Sequence, residues 1–95
     1  MAGPAYMLWI ANSWKEGWYK LSEEERKEIM KKCGEATKKF GGERLCSCKT
    51  PAGRPAFGIV KYPDMDSLEK SMAAHQEFDW PDKYIDVEHI AGIDF

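Results

Sequence analysis

Apolar and polar positions alternate along the chain in blocks whose spacing predicts their conformation. Tyr6-Met7-Leu8-Trp9-Ile10-Ala11-Asn12 is apolar, aromatic and uncharged, and it runs into the turn signal Lys15-Glu16-Gly17. It reads as a buried strand. Ser22-Glu23-Glu24-Glu25 then forms a capping box, with Ser22 as the cap and Glu25 reaching back to it. Ile29, Cys33, Ala36 and Phe40 follow at helical spacing and define one apolar face. Glutamates crowd the first turn and Lys38 and Lys39 the last, as the helix dipole prefers. Glu23 with Lys27, Glu28 with Lys32 and Glu35 with Lys39 are spaced for ion pairs, and Gly41-Gly42 ends the helix.

The second half repeats the pattern in a different order. Glu43 to Lys49 reads as a strand, residues 50–55 as a Pro- and Gly-rich turn, and Ala56 to Tyr62 as the returning strand of a hairpin. Pro63 closes it. Asp66-Ser67-Leu68-Glu69 has the spacing of a second capping box, and Leu68, Met72 and His75 mark the buried face of a second helix that frays near Phe78. Asp86 to Ile93 completes the chain as a strand. The order βαββαβ predicts an α+β fold, a ferredoxin-like sandwich with a four-stranded antiparallel sheet and two helices on one face.

Alternation sorts the strand side chains into two faces. In the third strand Ala56, Gly58, Val60 and Tyr62 are expected under the helices, with Phe57 and Ile59 opposite. In the first strand Leu8, Ile10 and Asn12 are expected toward the helices, which puts Trp9 on the open face. That face, with Trp9, Phe57, Ile59, Cys46 and Cys48, would be uncharged. An open antiparallel sheet face is normally polar, so this one calls for a partner.

The 95 residues suffice for one domain, spanning 1–95, and a domain this small leaves a large share of its surface uncovered. A net charge of −2 argues against a phosphate backbone as partner. Three cysteines and a start without a basic leader read as reduced thiols in a cytoplasmic protein, and no apolar run is long enough to span a bilayer.

The strand Phe57-Gly58-Ile59-Val60-Lys61-Tyr62-Pro63-Asp64, with Ser67-Leu68-Glu69 and Ala73-Ala74-His75 after it, resembles the dimeric α/β-barrel superfamily, in particular its antibiotic-biosynthesis-monooxygenase-like members. The resemblance implies a homodimer closed sheet against sheet, with Trp9, Phe57 and Ile59 at the interface. It also implies a small organic ligand between helices and sheet, and cofactor-independent monooxygenase, isomerase or lyase chemistry. The haem-degrading branch of that superfamily uses a first-strand asparagine and a second-helix histidine; Asn12 and His75 lie in similar elements, although no tryptophan precedes the histidine. A second resemblance runs to RNA-recognition domains, through Leu8-Trp9-Ile10-Ala11-Asn12-Ser13 and the strand from Ala56 to Tyr62. It implies that Trp9 and Phe57 stack on bases. Here Pro55 replaces a basic residue and Ile59 an aromatic one. A non-catalytic structural subunit is the remaining reading.

Within this frame His75 is the candidate general acid/base and Asn12 the polar positioning group, able to steady an oxyanion. Tyr62, Met72 and Phe78 are expected to line the pocket, with Trp14 at its mouth. Each also has a structural reading: a hydrogen-bonded core histidine, a strand-end cap, ordinary packing. Cys46-Ser47-Cys48 aims two thiols at one face, but zinc would need two more ligands from among Cys33, His75, His89 or carboxylates. No metal or cofactor is expected, haem being the one cofactor left open. Arg54 on the hairpin turn reads as solvated.

Overall fold

The computed structural model describes residues 3–51 and 53–94, so Ala52 of the expected turn and the first two residues lie outside it. Strand β1 spans Ala5–Trp14, a one-turn helix α1 Glu16–Tyr19, helix α2 Glu23–Lys39, strands β2 Glu43–Lys49 and β3 Ala56–Tyr62, helix α3 Met65–Glu77, a π-helical turn Trp80–Tyr84, and strand β4 Ile85–Ile93. The sheet order is β2-β3-β1-β4, antiparallel throughout. The fold is α+β and ferredoxin-like, with α2 and α3 over one face.

The helix ends follow from local chemistry. Ser22 Oγ accepts from the Glu25 backbone N–H at 3.1 Å, and Glu25 Oε1 accepts from the Ser22 N–H at 2.9 Å. The Ser22 backbone N–H, and then its hydroxyl, hold the Glu25 carboxyl below its usual pKa. At the other end Gly41 adopts φ +78°, and the Gly41 and Gly42 N–H groups donate to the carbonyls of Lys38 and Thr37. This is a Schellman closure, which needs a residue without a Cβ penalty at Gly41. The three expected ion pairs along α2 are not formed. The ion pairs among the described residues are Lys20–Glu16, Lys70–Asp66 and Lys83–Asp79, all exposed.

The cap of α3 also differs from expectation. Asp64, not Asp66, is the N-cap, and its carboxylate accepts from the Ser67 N–H at 2.7 Å. Pro63 fixes the chain one residue earlier, and Asp64 is the first acceptor free to turn inward. Asp66 falls in the first turn and pairs with Lys70.

The faces of β3 are as expected, but those of β1 are reversed. Met7 pairs with Val60, Trp9 with Gly58 and Ala11 with Ala56, so Met7, Trp9 and Ala11 lie under the helices. Leu8 pairs with Ile59 and Ile10 with Phe57 on the open face. A Cβ on Gly58 would lie 2.7 Å from Trp9 Cζ2, which shows what the glycine is for: it leaves room for the indole. Both faces of β1 are apolar, so alternation defines two sets of residues without saying which set is covered.

The core is Ala5, Met7, Val60, Tyr62 and Leu68, with Phe40, Met65 and Met72 packed against it. Burying Leu68 alone is worth roughly 1.5–3 kcal/mol. At its centre the Tyr62 hydroxyl bonds to Ser71 Oγ at 2.8 Å, both residues being 1% exposed. Removing one hydroxyl leaves the other buried without a partner, at a cost of about 1–3 kcal/mol. Tyr62→Phe and Ser71→Ala are each expected to lower stability by about that amount in urea unfolding, while the double variant loses less than the sum of the two. Additive losses would show that the pair is not coupled.

Candidate functional site

Helix α3 packs on β1 and β3, whereas α2 leans chiefly on α3. The space left between α2 and the sheet is a cleft of ≈ 470 Å³. Its floor is Met7, Trp9 and Val60 with Val87 and His89 of β4. Met30 and Cys33 of α2 form one wall, and Ser71, Met72 and His75 of α3 the other. Trp80 and Pro81 close one end; Arg44, Ser47 and Lys49 of the edge strand β2 flank the other. A mainly apolar cavity of this size with polar groups converging on it is a usual form of a small-ligand site.

The closed end is built by the segment after β1. The Lys15 N–H donates to the Tyr84 carbonyl at 2.9 Å, and Lys15 Nζ to the Pro81 carbonyl at 2.7 Å. Gly17 lies so close to Lys83 that a Cβ there would collide with the Lys83 carbonyl oxygen. Trp14 stacks on Trp18 with centroids 4.2 Å apart, and Trp80 meets both edge-on at 6.1 and 6.0 Å. Trp14 thus braces Trp80 from behind rather than lining the cleft itself. Asp79 takes φ 59° to start the turn, a conformation aspartate tolerates better than most residues.

His75 is the most definite polar group. Its Nδ1 lies 2.7 Å from the Ser71 carbonyl. A carbonyl can only accept, so Nδ1 carries a proton and Nε2 is the ring nitrogen that this bond leaves free. Phe78 packs against the imidazole at 5.7 Å between centroids. Ser71 is the junction: its hydroxyl meets Tyr62 and its carbonyl holds His75. Tyr62 is therefore a positioning residue buried behind the cleft.

The expected convergence of Asn12, Tyr62 and His75 does not form. Asn12 is the extra residue of a β-bulge, between the pairs Ala11–Val87 and Ser13–Asp86, and is not among the residues lining the cleft. The asparagine–histidine pairing of a haem-degrading site is not assembled. Trp9 lies inside the cleft, opposite in facing to Phe57, so a shared stacking platform for bases is not built.

His89, ambiguous in the sequence, faces the cleft because it pairs with Trp9. The residue is exposed overall, but desolvation of its ring, and then the charge of His75, hold its pKa below the ordinary histidine value. Burial pushes the Cys33 thiol up to about 12, so the protonated form prevails at neutral pH. Cys46 and Cys48 pair with Ile59 and Phe57, and Cys48 also borders the cleft that Cys33 lines. Among the described residues no group of three or more His, Cys, Asp or Glu is placed to hold a metal ion, and no helix is long and apolar enough to cross a membrane.

No protein-family model matches the chain, and no curated protein matches it. Its fold is similar to that of RPA0582, a protein of unknown function from Rhodopseudomonas palustris, with TM-score 0.70 and 14% identity over 100% of this chain and 85% of that one. A structure of methylated RPA0582 gives TM-score 0.70 and 13% identity over 100% of this chain and 83% of that one. At such identities the likeness establishes a shared fold.

The depressed pKa of His89 has a signed consequence. As pH falls below roughly 6.5, the unfolded chain takes up the proton before the folded one. Stability is expected to drop from there until the lower folded pKa is passed, and His89→Gln should flatten that part of a Tm-against-pH profile. A profile unchanged by the substitution would mean that His89 is not the group responsible.

Proposed function

We propose that this chain is a small-molecule-binding protein whose ligand occupies the cleft between α2, α3 and the sheet. The observation that carries the reading is the cleft itself: an apolar cavity entered by a histidine whose tautomer is fixed through Ser71. His75 Nε2 is the atom to accept a hydrogen bond or a proton from the ligand, and Met72 and Trp9 supply the apolar contact. Reaction types that need only a positioned base fit this arrangement, and His75 would carry them.

The same reading includes a homodimer joined through the open sheet face, as in a dimeric α/β barrel. Support comes from the side chains there: Leu8 and Ile10 of β1, Phe57 and Ile59 of β3, and Ile90 of β4. Phe57 is 37% and Ile90 61% exposed. Charged residues stand at the margins, Glu43 beside Lys61 and Glu88 opposite Ile10. Such a patch on a small domain gains stability when a second copy covers it. Phe57 and Ile59 keep the interface role expected of them, and Leu8 and Ile10 take the place of Trp9.

Two measurements test these parts separately. Titrating neutral apolar probes such as 1-naphthol and 4-phenylphenol should shift the Trp9 indole N–H resonance. His75→Ala should weaken that binding about tenfold, the equivalent of one lost hydrogen bond, while the fold survives. Lost stability with unchanged affinity would return His75 to a structural role. In sedimentation, the chain should behave as a dimer and Ile90→Lys as a monomer; a wild-type chain that is monomeric at all concentrations would end the barrel reading.

A further inference from the structure

The cleft is apolar, but its charges are one-sided. In a chain where Asp and Glu outnumber Lys and Arg by 16 to 14, no carboxylate is among the residues lining it. The cations Arg44 and Lys49 are both there. The arrangement follows from strand register. Arg44 pairs with Val60, Ser47 with Gly58 and Lys49 with Ala56, and a bulge at Leu45 keeps all three on the helix side of the sheet. Glu43, the carboxylate next to Arg44, pairs instead with Lys61 on the open face. Neither Arg44 nor Lys49 belongs to an ion pair among the described residues. Two cations on an edge strand thus flank an apolar cavity, with the hydroxyl of Ser47 between them in sequence.

We infer that the cleft takes a carboxylate-bearing ligand with an apolar aromatic or alkyl body, its anionic end held by Arg44 and Lys49 at the β2 edge and its body lying on Trp9, Met72 and Val60. This rests on the small-molecule reading above and adds the chemical class of the ligand. The body exchanges water for apolar surface. The carboxylate supplies the negative charge that this rim lacks, through charge-assisted hydrogen bonds stronger than neutral ones. A neutral ligand of the same shape would gain the first contribution and not the second.

The test uses the full chain and matched pairs of probes: 2-naphthoate with 2-naphthamide, and octanoate with octanamide, each titrated while the Trp9 indole N–H is followed by NMR. The carboxylates are expected to bind about tenfold more tightly than their amides, a difference that shrinks as salt is raised. In Arg44→Gln/Lys49→Gln, both on the exposed edge strand, the pairs should bind alike. Equal binding of acid and amide by the wild type would overturn the anionic class and leave the cleft reading standing. A preference that survives the double substitution would overturn the assignment to β2. If no probe of either kind binds, the small-molecule reading and this inference both fall.

Discussion

Tyr62 and Ser71 face each other across the interface between β3 and α3, with almost no surface exposed. Two hydroxyls in such a place are tolerable only because each satisfies the other. That requirement fixes how α3 is rotated about its axis and how far along β3 it sits. The rest of the cleft inherits the setting. Ser71 is also the residue whose carbonyl holds His75 Nδ1, so one residue anchors the helix through its hydroxyl and orients the imidazole through its backbone.

The cleft exists because the two long helices meet the sheet unequally. α3 is tied down through Leu68, Met72 and the hydroxyl pair, whereas α2 rests against α3. A floor that alternates a glycine with a tryptophan adds to this. Gly58 lets the Trp9 ring lie close over β3, so that the indole covers the sheet without filling the space above it. The tryptophan group at the closed end supplies a rigid backstop through stacked and edge-on rings.

Much of this architecture was legible in the sequence where a residue has one conformational use. The bounds of β2 and β3, the Ser22–Glu25 box and the Gly41 closure are of that kind. The facing of β1 was not legible, because Leu8 and Ile10 are as apolar as Met7 and Trp9. Only the register against Gly58, a contact between distant residues, separates the two sets. His89 follows the same logic, since its facing is settled by the partner strand. The cap of α3 was ambiguous because Asp64 and Asp66 both precede a helical pattern. Ser71 gave no signal, as a serine within a helix looks solvated until the tyrosine opposite it is known. The site residues split accordingly: His75 and Met72 lie in the cleft, Trp14, Tyr62 and Phe78 support it from outside, and a bulge takes Asn12 away from it.

The edge strand β2 has a consequence for how this protein can change. Six of its seven residues are exposed, and its backbone pairs on one side only, with β3. Substitutions there disturb little of the packed interior, yet Arg44, Ser47 and Lys49 border the cavity. The cleft residues of β2 are therefore carried on the element least committed to stability, whereas Ser71, which holds His75, is buried in the core. Substitutions on this edge would change the border of the cavity at little cost to the packed interior.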